Sequence, residues 1–233
     1  MPPFSGLRGR LLQAVLGRRA ATVVRMVGAD ASRDLKLVAE TRARTPLLMQ
    51  DAAALQILAC VRACRGRAGA MAEAGVYAGG SARLICEAKG ERPLHLFDVF
   101  EALQAPAAAP QPGSAAGEVH AHFGRVHGTQ AAVAALLAEY PNVHFHAGVL
   151  PDSAAAVVAN ESFAFVHLDL DLARGTREAL ELFHPRMVDG GIIVADDYES
   201  AAVRGAFADY FRGRRDTLIE LPWSQAIVVA RGG

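Results

Sequence analysis

Four aspartates, Asp169, Asp171, Asp196 and Asp197, lie in two short apolar runs, Phe163 to Leu172 and Asp189 to Tyr198. Carboxylates brought to one place repel one another, so such a set calls for a cation, a proton or a positively charged ligand among them. Two chemistries suit it. A bound divalent ion can activate an oxygen nucleophile, or one carboxylate can attack a phosphoryl group while a second acts as acid and base.

A second group of residues has a different chemistry. Glu73, Gly75, Gly79 and Gly80 sit where the apolar run from Ala70 hands over to a helical pattern starting near Ser81. Glycine lets the backbone approach a ligand, and a helix N-terminus offers unpaired N–H groups. The spacing is Gly-x-x-x-Gly-Gly rather than Gly-x-Gly-x-x-Gly, and no Lys-Ser/Thr follows, which disfavours a dinucleotide or a nucleoside triphosphate. Glu73 suits a ligand with an amino group or a positive charge. Asp98, at the end of the run Leu94–Asp98, is placed to accept hydrogen bonds from ribose hydroxyls. A nucleoside with a cationic tail has the shape of S-adenosylmethionine.

These residues must be delivered by particular elements. Each acidic run reads as a buried parallel strand carrying its acids to the carboxyl edge of a sheet, where open α/β folds place their chemistry. Residues Arg174 to Met187 are long enough for the crossover helix that makes the two strands neighbours. Further strands are expected at Ala70–Ala74, Leu94–Asp98, Val143–Ala147, Thr217–Leu221 and Gln225–Ala230. Helices are expected from about Asp51 to Val61, then over Thr129–Tyr140, Pro151–Asn160 and Val203–Arg212. The last two strands are joined only by Pro222-Trp223-Ser224, so the final one must run antiparallel. Residues Ala102 to Gly117, rich in Ala, Pro, Gln and Gly, read as a surface loop or lid.

The 233 residues suit one sizeable domain with an N-terminal elaboration. We divide them into a helical cap and oligomerisation region, 1–66, and a sheet domain, 67–233. Formal net charge is zero, which gives no bulk electrostatic argument for nucleic acid or an anionic membrane. Cys60, Cys64 and Cys86 read as core thiols in a reducing cytoplasm. Leu7, Leu11, Leu12, Val15 and Leu16 recur near helical spacing, and the run is too short to span a membrane.

The runs Ala72-Glu-Ala-Gly-Val-Tyr-Ala-Gly-Gly-Ser81, His95 to Glu101, His167-Leu-Asp-Leu-Asp-Leu172 and Pro185 to Tyr198 resemble the macrocin O-methyltransferase family (TylF/MycF/NovP type). The resemblance is collinear from about Leu55 to the C-terminus. It implies a Rossmann-like class I methyltransferase fold, with a seven-stranded, mostly parallel sheet and an antiparallel last strand. It implies a homo-oligomer that methylates a hydroxyl of a small molecule, such as a sugar or a glycosylated natural product. It also implies S-adenosylmethionine and Mg²⁺ as cofactors. Matched position by position, Asp169, Asp196 and Asp197 are the expected metal ligands and Asp171 the general base. The cofactor site is expected to comprise Glu73, Gly75, Val76, Tyr77, Gly79 and Ser81, with Asp98 at the ribose. Two departures stand out. Ala173-Arg174 replaces the family's usual tyrosine, and the loop Gln104–Val119 differs from its short acidic segment. Two rival readings use the same residues: an Mg²⁺-dependent phosphohydrolase acting through Asp169 and Asp171, and a cofactor-binding protein without turnover.

Overall fold

A computed structural model describes residues 26–100 and 128–231. The amphipathic helix expected from Leu7 lies outside the described residues except for Met26 and Val27, and the expected loop Ala102–Gly117 lies wholly outside them. Residues up to Lys36 belong to one compact unit and Leu37–Gly233 to another. Helix α1 (Ala31–Arg44) is followed by α2 (Asp51–Ala63), β1 (Ala70–Ala74), α3 (Gly80–Lys89), β2 (Leu94–Asp98) and α4 (Gln130–Leu136). The chain continues through β3 (Val143–Ala147), α5 (Ala155–Val158), β4 (Phe163–Leu168), α6 (Ala173–Phe183) and β5 (Met187–Ala195). It ends with α7 (Ala201–Tyr210), β6 (Thr217–Glu220) and β7 (Ala226–Val229).

The strands form one seven-stranded sheet in the order β3-β2-β1-β4-β5-β7-β6. Strands β1 to β5 are mutually parallel, and β7 pairs antiparallel with both β5 and β6. The antiparallel last strand follows from its short connection, as expected. Because strand side chains alternate, the sheet buries two separate cores. Ala70, Ala72 and Ala74 pack on the face covered by Leu180 and Phe183 of α6 and Phe207 of α7. Met71 faces the opposite layer, with Ile57 and Leu58 of α2 and Leu84 and Ile85 of α3. Helix α6 buries Thr176, Ala179, Leu180 and Phe183, the three- and four-residue spacing of an amphipathic crossover.

Helix α2 differs from its expected place. Ala53, Ala54, Ile57, Leu58 and Val61 are completely buried, so α2 belongs to the sheet's helical layer. The unit carrying the sheet starts at Leu37, whereas the sequence-based division at 66/67 assigns α2 to the cap. Helix α1 has no counterpart among the expected elements. The helix expected over Pro151–Asn160 shrinks to Ala155–Val158, with turns before it. Burial pushes the Cys64 thiol up to about 11 and Cys86 to about 12, which makes them inert core residues. No helix among the described residues is long and apolar enough to cross a membrane.

The far end of α3 is anchored by an unusual group. Lys89 is 1% exposed, and its Nζ donates to the carbonyls of Gly90 (3.2 Å), Arg92 (2.9 Å) and Pro141 (2.6 Å). Burial lowers its pKa, and the three carbonyls lose their donor if it is removed. Lys89→Met is therefore expected to cost about 2 kcal/mol, read as a lower denaturant midpoint at unchanged slope.

Candidate active site

The four aspartates converge because β4 and β5 end side by side. Leu168 pairs with Ala195, so Asp169 and Asp196 leave the sheet together. The backbone locks both: Asp169 N–H donates to Ala74 O (2.9 Å) and Asp196 N–H to Leu168 O (2.8 Å). Asp171 and Asp197 adopt left-handed backbone, φ 58° and 53°, which is strained for a residue with a Cβ and turns the chain back on itself. All four line one cavity of about 660 Å³, a size suited to a small ligand.

The cluster is electrostatically unsettled. Burial, together with the charges of Asp196 and Asp197, raises the Asp169 carboxyl well above its usual range, against the pull of His167. Burial and the Asp171 carboxylate push Asp197 up to about 7. Burial would raise Asp196 too, but His167 beside it and hydrogen bonds from Ser224 and Gln225 hold it low. Ser224 Oγ donates to Asp196 Oδ1 (2.9 Å) and Gln225 Nε2 to Oδ2 (3.3 Å). Neither residue stands out in the sequence, because both reach the site from the β6–β7 connection.

The glycine turn forms the opposite wall. Gly75 has φ 88°, and a Cβ there would lie 1.7 Å from the Asp169 carbonyl oxygen, so only glycine lets β1 meet β4 so closely. Asp98 closes the turn: its Oδ2 accepts from Val76 N–H (2.6 Å) and Tyr77 N–H (2.9 Å), and its Oδ1 from Phe100 N–H (2.8 Å). A carboxylate has about four lone-pair positions, so one on Oδ1 remains for a ligand. Gly75, Val76, Tyr77, Ser81 and Asp98 all line the cavity.

Two expected cofactor residues do not line it. Gly79 is the N-cap of α3 with φ 80°, and a Cβ there would meet Val133 at 2.9 Å. Glu73 is fully buried. Strand alternation turns it, like Met71, onto the face covered by α2 and α3, away from the cavity. Its Oε1 meets His167 Nδ1 at 2.8 Å, and His167 Nε2 stands 3.7 Å from Asp196 Oδ2. That separation is too long for a hydrogen bond. Burial lowers the His167 pKa, but the flanking Asp196 and Glu73 outweigh it and carry the ring up to about 10. The sequence offers a signal for this neighbour of the acids: His167 precedes Asp169 by two residues, the strand period.

The outer wall is the segment Pro46–Gln50. Arg42 clamps it, donating to Leu47 O and Met49 O (2.5 Å each) and pairing with Asp51 (2.9 Å). Arg174, at the start of α6, also lines the cavity and pairs with Glu178 at 3.0 Å.

A parallel sheet with one reversed strand, and a cavity at the carboxyl ends of β1, β2, β4 and β5, defines the Rossmann-like methyltransferase fold. The O-methyltransferase NovP superposes with a TM-score of 0.63 at 21% identity, over 76% of this chain and 79% of that one. A TDP-rhamnose 3'-O-methyltransferase of calicheamicin biosynthesis gives 0.57 at 16% identity, over 91% and 97%. The chain belongs to the macrocin O-methyltransferase (TylF) family, whose model matches residues 27–225. It is 32% identical over 158 residues to 8-demethyl-8-(2,3-dimethoxy-alpha-L-rhamnosyl)-tetracenomycin-C 4'-O-methyltransferase of Streptomyces olivaceus. That match covers 64% of this chain and 60% of the relative's length.

Proposed function

We propose that the protein transfers a methyl group from S-adenosylmethionine to a sugar hydroxyl of a small molecule, assisted by a divalent cation. The observation that carries this reading is the single cavity joining the glycine turn to the four aspartates. The sugar is drawn from the relatives, two of which are named for rhamnose-bearing acceptors. Family membership supports the reaction class.

The residues present fit a cation. Asp197 Oδ2 is buried without a hydrogen-bond partner, in a set of hard carboxylate donors with a cavity beside it. Asp169, Asp196 and Asp197 would hold it, and Mg²⁺ suits an all-oxygen set. When bound, the cation lowers the pKa of a neighbouring hydroxyl, and the cofactor's sulfonium supplies the methyl group. The chain's own residues do the rest. Asp171 takes the hydroxyl proton. Asp98 keeps the turn of Val76 and Tyr77 in shape and offers its remaining lone pair to the ribose. Ser224 and Gln225 fix the Asp196 carboxylate, and the clamped Pro46–Gln50 segment holds the acceptor in line for attack. The N-terminal region, 1–66, is proposed to mediate assembly; a monomer in light scattering across a wide concentration range would remove that part.

The test is a thermal melt with S-adenosylmethionine, alone and with Mg²⁺, then methyl transfer to a panel of glycosylated acceptors. Selective stabilisation by the cofactor and transfer to a sugar hydroxyl are expected. Stabilisation by Mg²⁺ alone, with phosphate release from an aryl phosphate, would instead favour the phosphohydrolase.

A pH dependence follows from Asp197, whose carboxyl titrates at about 7. Below that pH it holds a proton that a cation must displace; above it the carboxylate is ready. Apparent cation affinity is expected to rise with pH through about 7 and then level off. Calorimetric titrations in buffers of different ionisation enthalpy will show more proton release at pH 6 than at pH 8.5. Equal proton release at the two would contradict the assignment of Asp197.

A further inference from the structure

We infer that Thr45 is a positioning residue: its side chain fastens the outer wall, Pro46–Gln50, to the glycine turn, so that filling the cofactor end of the cavity sets the acceptor end. This rests on the S-adenosylmethionine reading above. Thr45 Oγ1 donates to Ala78 O (2.7 Å). Neither residue lines the cavity, whereas Val76 and Tyr77 on one side of that bond and Pro46–Gln50 on the other do. The bond therefore joins two ligand-facing segments from behind.

The wall has no helix or strand of its own and takes its shape from a few anchors. Leu47 is buried in the core with residues of α2 and α3. Arg42 holds the carbonyls of Leu47 and Met49, on either side of the exposed Leu48. Thr45 is the anchor that ends on the turn. The two parts also fit closely: a Cβ at Gly80 would lie 2.5 Å from Pro46 O and 3.1 Å from Leu47 Cα. Arg83, in the first turn of α3, donates to Thr41 Oγ1 (2.6 Å), and Thr41 O accepts from Thr45 N–H (3.0 Å).

The direction of the Ala78 carbonyl depends on the shape of the turn. Its neighbours Tyr77 and Gly79 are both left-handed, φ 51° and 80°. For Tyr77 that conformation is strained and persists only where other contacts enforce it. Asp98 supplies two, through Val76 N–H and Tyr77 N–H, and a nucleoside on the turn adds more. When the turn relaxes, Ala78 O leaves Thr45 and the wall loses an anchor. A ligand that favours one shape of such an element biases whatever else depends on that shape. Cofactor is therefore expected to tighten acceptor binding by about 5- to 10-fold. Thr45→Val is expected to remove that gain, read as a raised acceptor KM at unchanged kcat.

The deciding experiment needs no acceptor. Amide hydrogen exchange is followed on the full chain with and without S-adenosylhomocysteine, the demethylated cofactor, at a concentration that calorimetry shows to saturate each variant. In the wild type the amides of Leu47 to Gln50 are expected to slow by about 5- to 10-fold on binding. Thr45→Val keeps the side-chain shape and loses the donor; it is expected to bind the probe yet reduce that slowing to less than about twofold, and Thr45→Ser to restore it. Slowing that survives in Thr45→Val reflects direct contact with the ligand and overturns the inference, as does a wild-type wall that does not respond. No binding to the wild type overturns the cofactor reading itself. Arg42→Gln, which frees the wall's carbonyls and leaves Thr45 bonded, decides if Thr45→Val fails to fold: its wall must lose the response too, and a retained response overturns the inference.

Discussion

Replacing Asp169 by asparagine is expected to lower methyl transfer by about a thousandfold and to raise the melting temperature of the cation-free protein. Both effects have one cause. Asp169 is half-buried at the junction of β4 and β5, and its carboxyl is raised well above the ordinary range by burial and by Asp196 and Asp197. A raised folded-state pKa stabilises the fold below the unfolded-state value and loses that stability as pH climbs toward the folded-state value. Near neutral pH the native carboxyl is a liability that only a cation offsets, and the asparagine isostere carries no such liability. The gain should therefore be larger at pH 8 than at pH 5, and it should vanish or reverse when saturating Mg²⁺ or Mn²⁺ is added to the wild type. Circular dichroism melts at the two pH values, with a radiolabelled methyl-transfer assay beside them, read all of this. A fully active Asp169→Asn protein would sink the metal-assisted mechanism. One that melts lower at every pH would sink the electrostatic account of the site.

Trading stability for function is common where like charges must be held together, and here the backbone enforces it. The left-handed conformations of Asp171 and Asp197 are strained positions in an otherwise regular sheet. Their carboxylates are the ones that the strand register alone would not bring to Asp169 and Asp196. Asp98 accepts three backbone hydrogen bonds in the opposite wall. It holds Tyr77, a third left-handed residue at φ 51°, in a shape that a bulky side chain does not adopt unaided.

Apolar runs and strand ends are legible in one dimension, and they carry the sheet. Phe163–Leu172 and Asp189–Tyr198 identify two neighbouring parallel strands, and the three residues Pro222 to Ser224 force the reversal at β7. Helix α1 was not legible: its hydrophobicity is low, and Leu37 and Val38 are followed by polar Thr41, which is buried by hydrogen bonding to Leu37 O and to Arg83. The expected helix from Pro151 gives way over its first residues to turns, in which Ala154 N–H donates three residues back to Pro151 O (3.0 Å). Within the site, the acids could be read because each ends an apolar run. Ser224 and Gln225 could not, since their partner Asp196 lies 28 and 29 residues away. Glu73 stands at the expected corner but is fully buried and does not line the cavity. Alternation with Ala72 and Ala74, which pack on the α6 face, already says that residue 73 points the other way.

Gly75→Ala is expected to be the most damaging single methyl group in the described part of the chain. Its φ of 88° costs a residue with a Cβ about 1–2 kcal/mol. The added carbon would also lie 1.7 Å from Asp169 O and 2.7 Å from Asp169 C. A flexible side chain could move aside, but here the obstacle is the backbone of the residue that begins the acidic cluster. Asp169 is pinned to Ala74 O by its own N–H (2.9 Å), and Gly75 to Phe97 O (2.9 Å). Relief therefore means parting β1 from β4 or β1 from β2 at the floor of the cavity. Overpacking of this kind adds about 1–3 kcal/mol, giving a total of about 2–5 kcal/mol and a melting temperature lower by about 4–20 °C. Cofactor affinity and turnover should fall together, because one displacement disturbs the turn proposed to cradle the nucleoside and the carboxylate across from it. Gly90→Ala is the internal control: its φ is also positive, 65°, but nothing lies within 4 Å of the added carbon. It should cost only the conformational part and leave turnover intact. Equal losses for the two variants would mean that backbone conformation alone, and not the contact with Asp169, demands glycine at position 75.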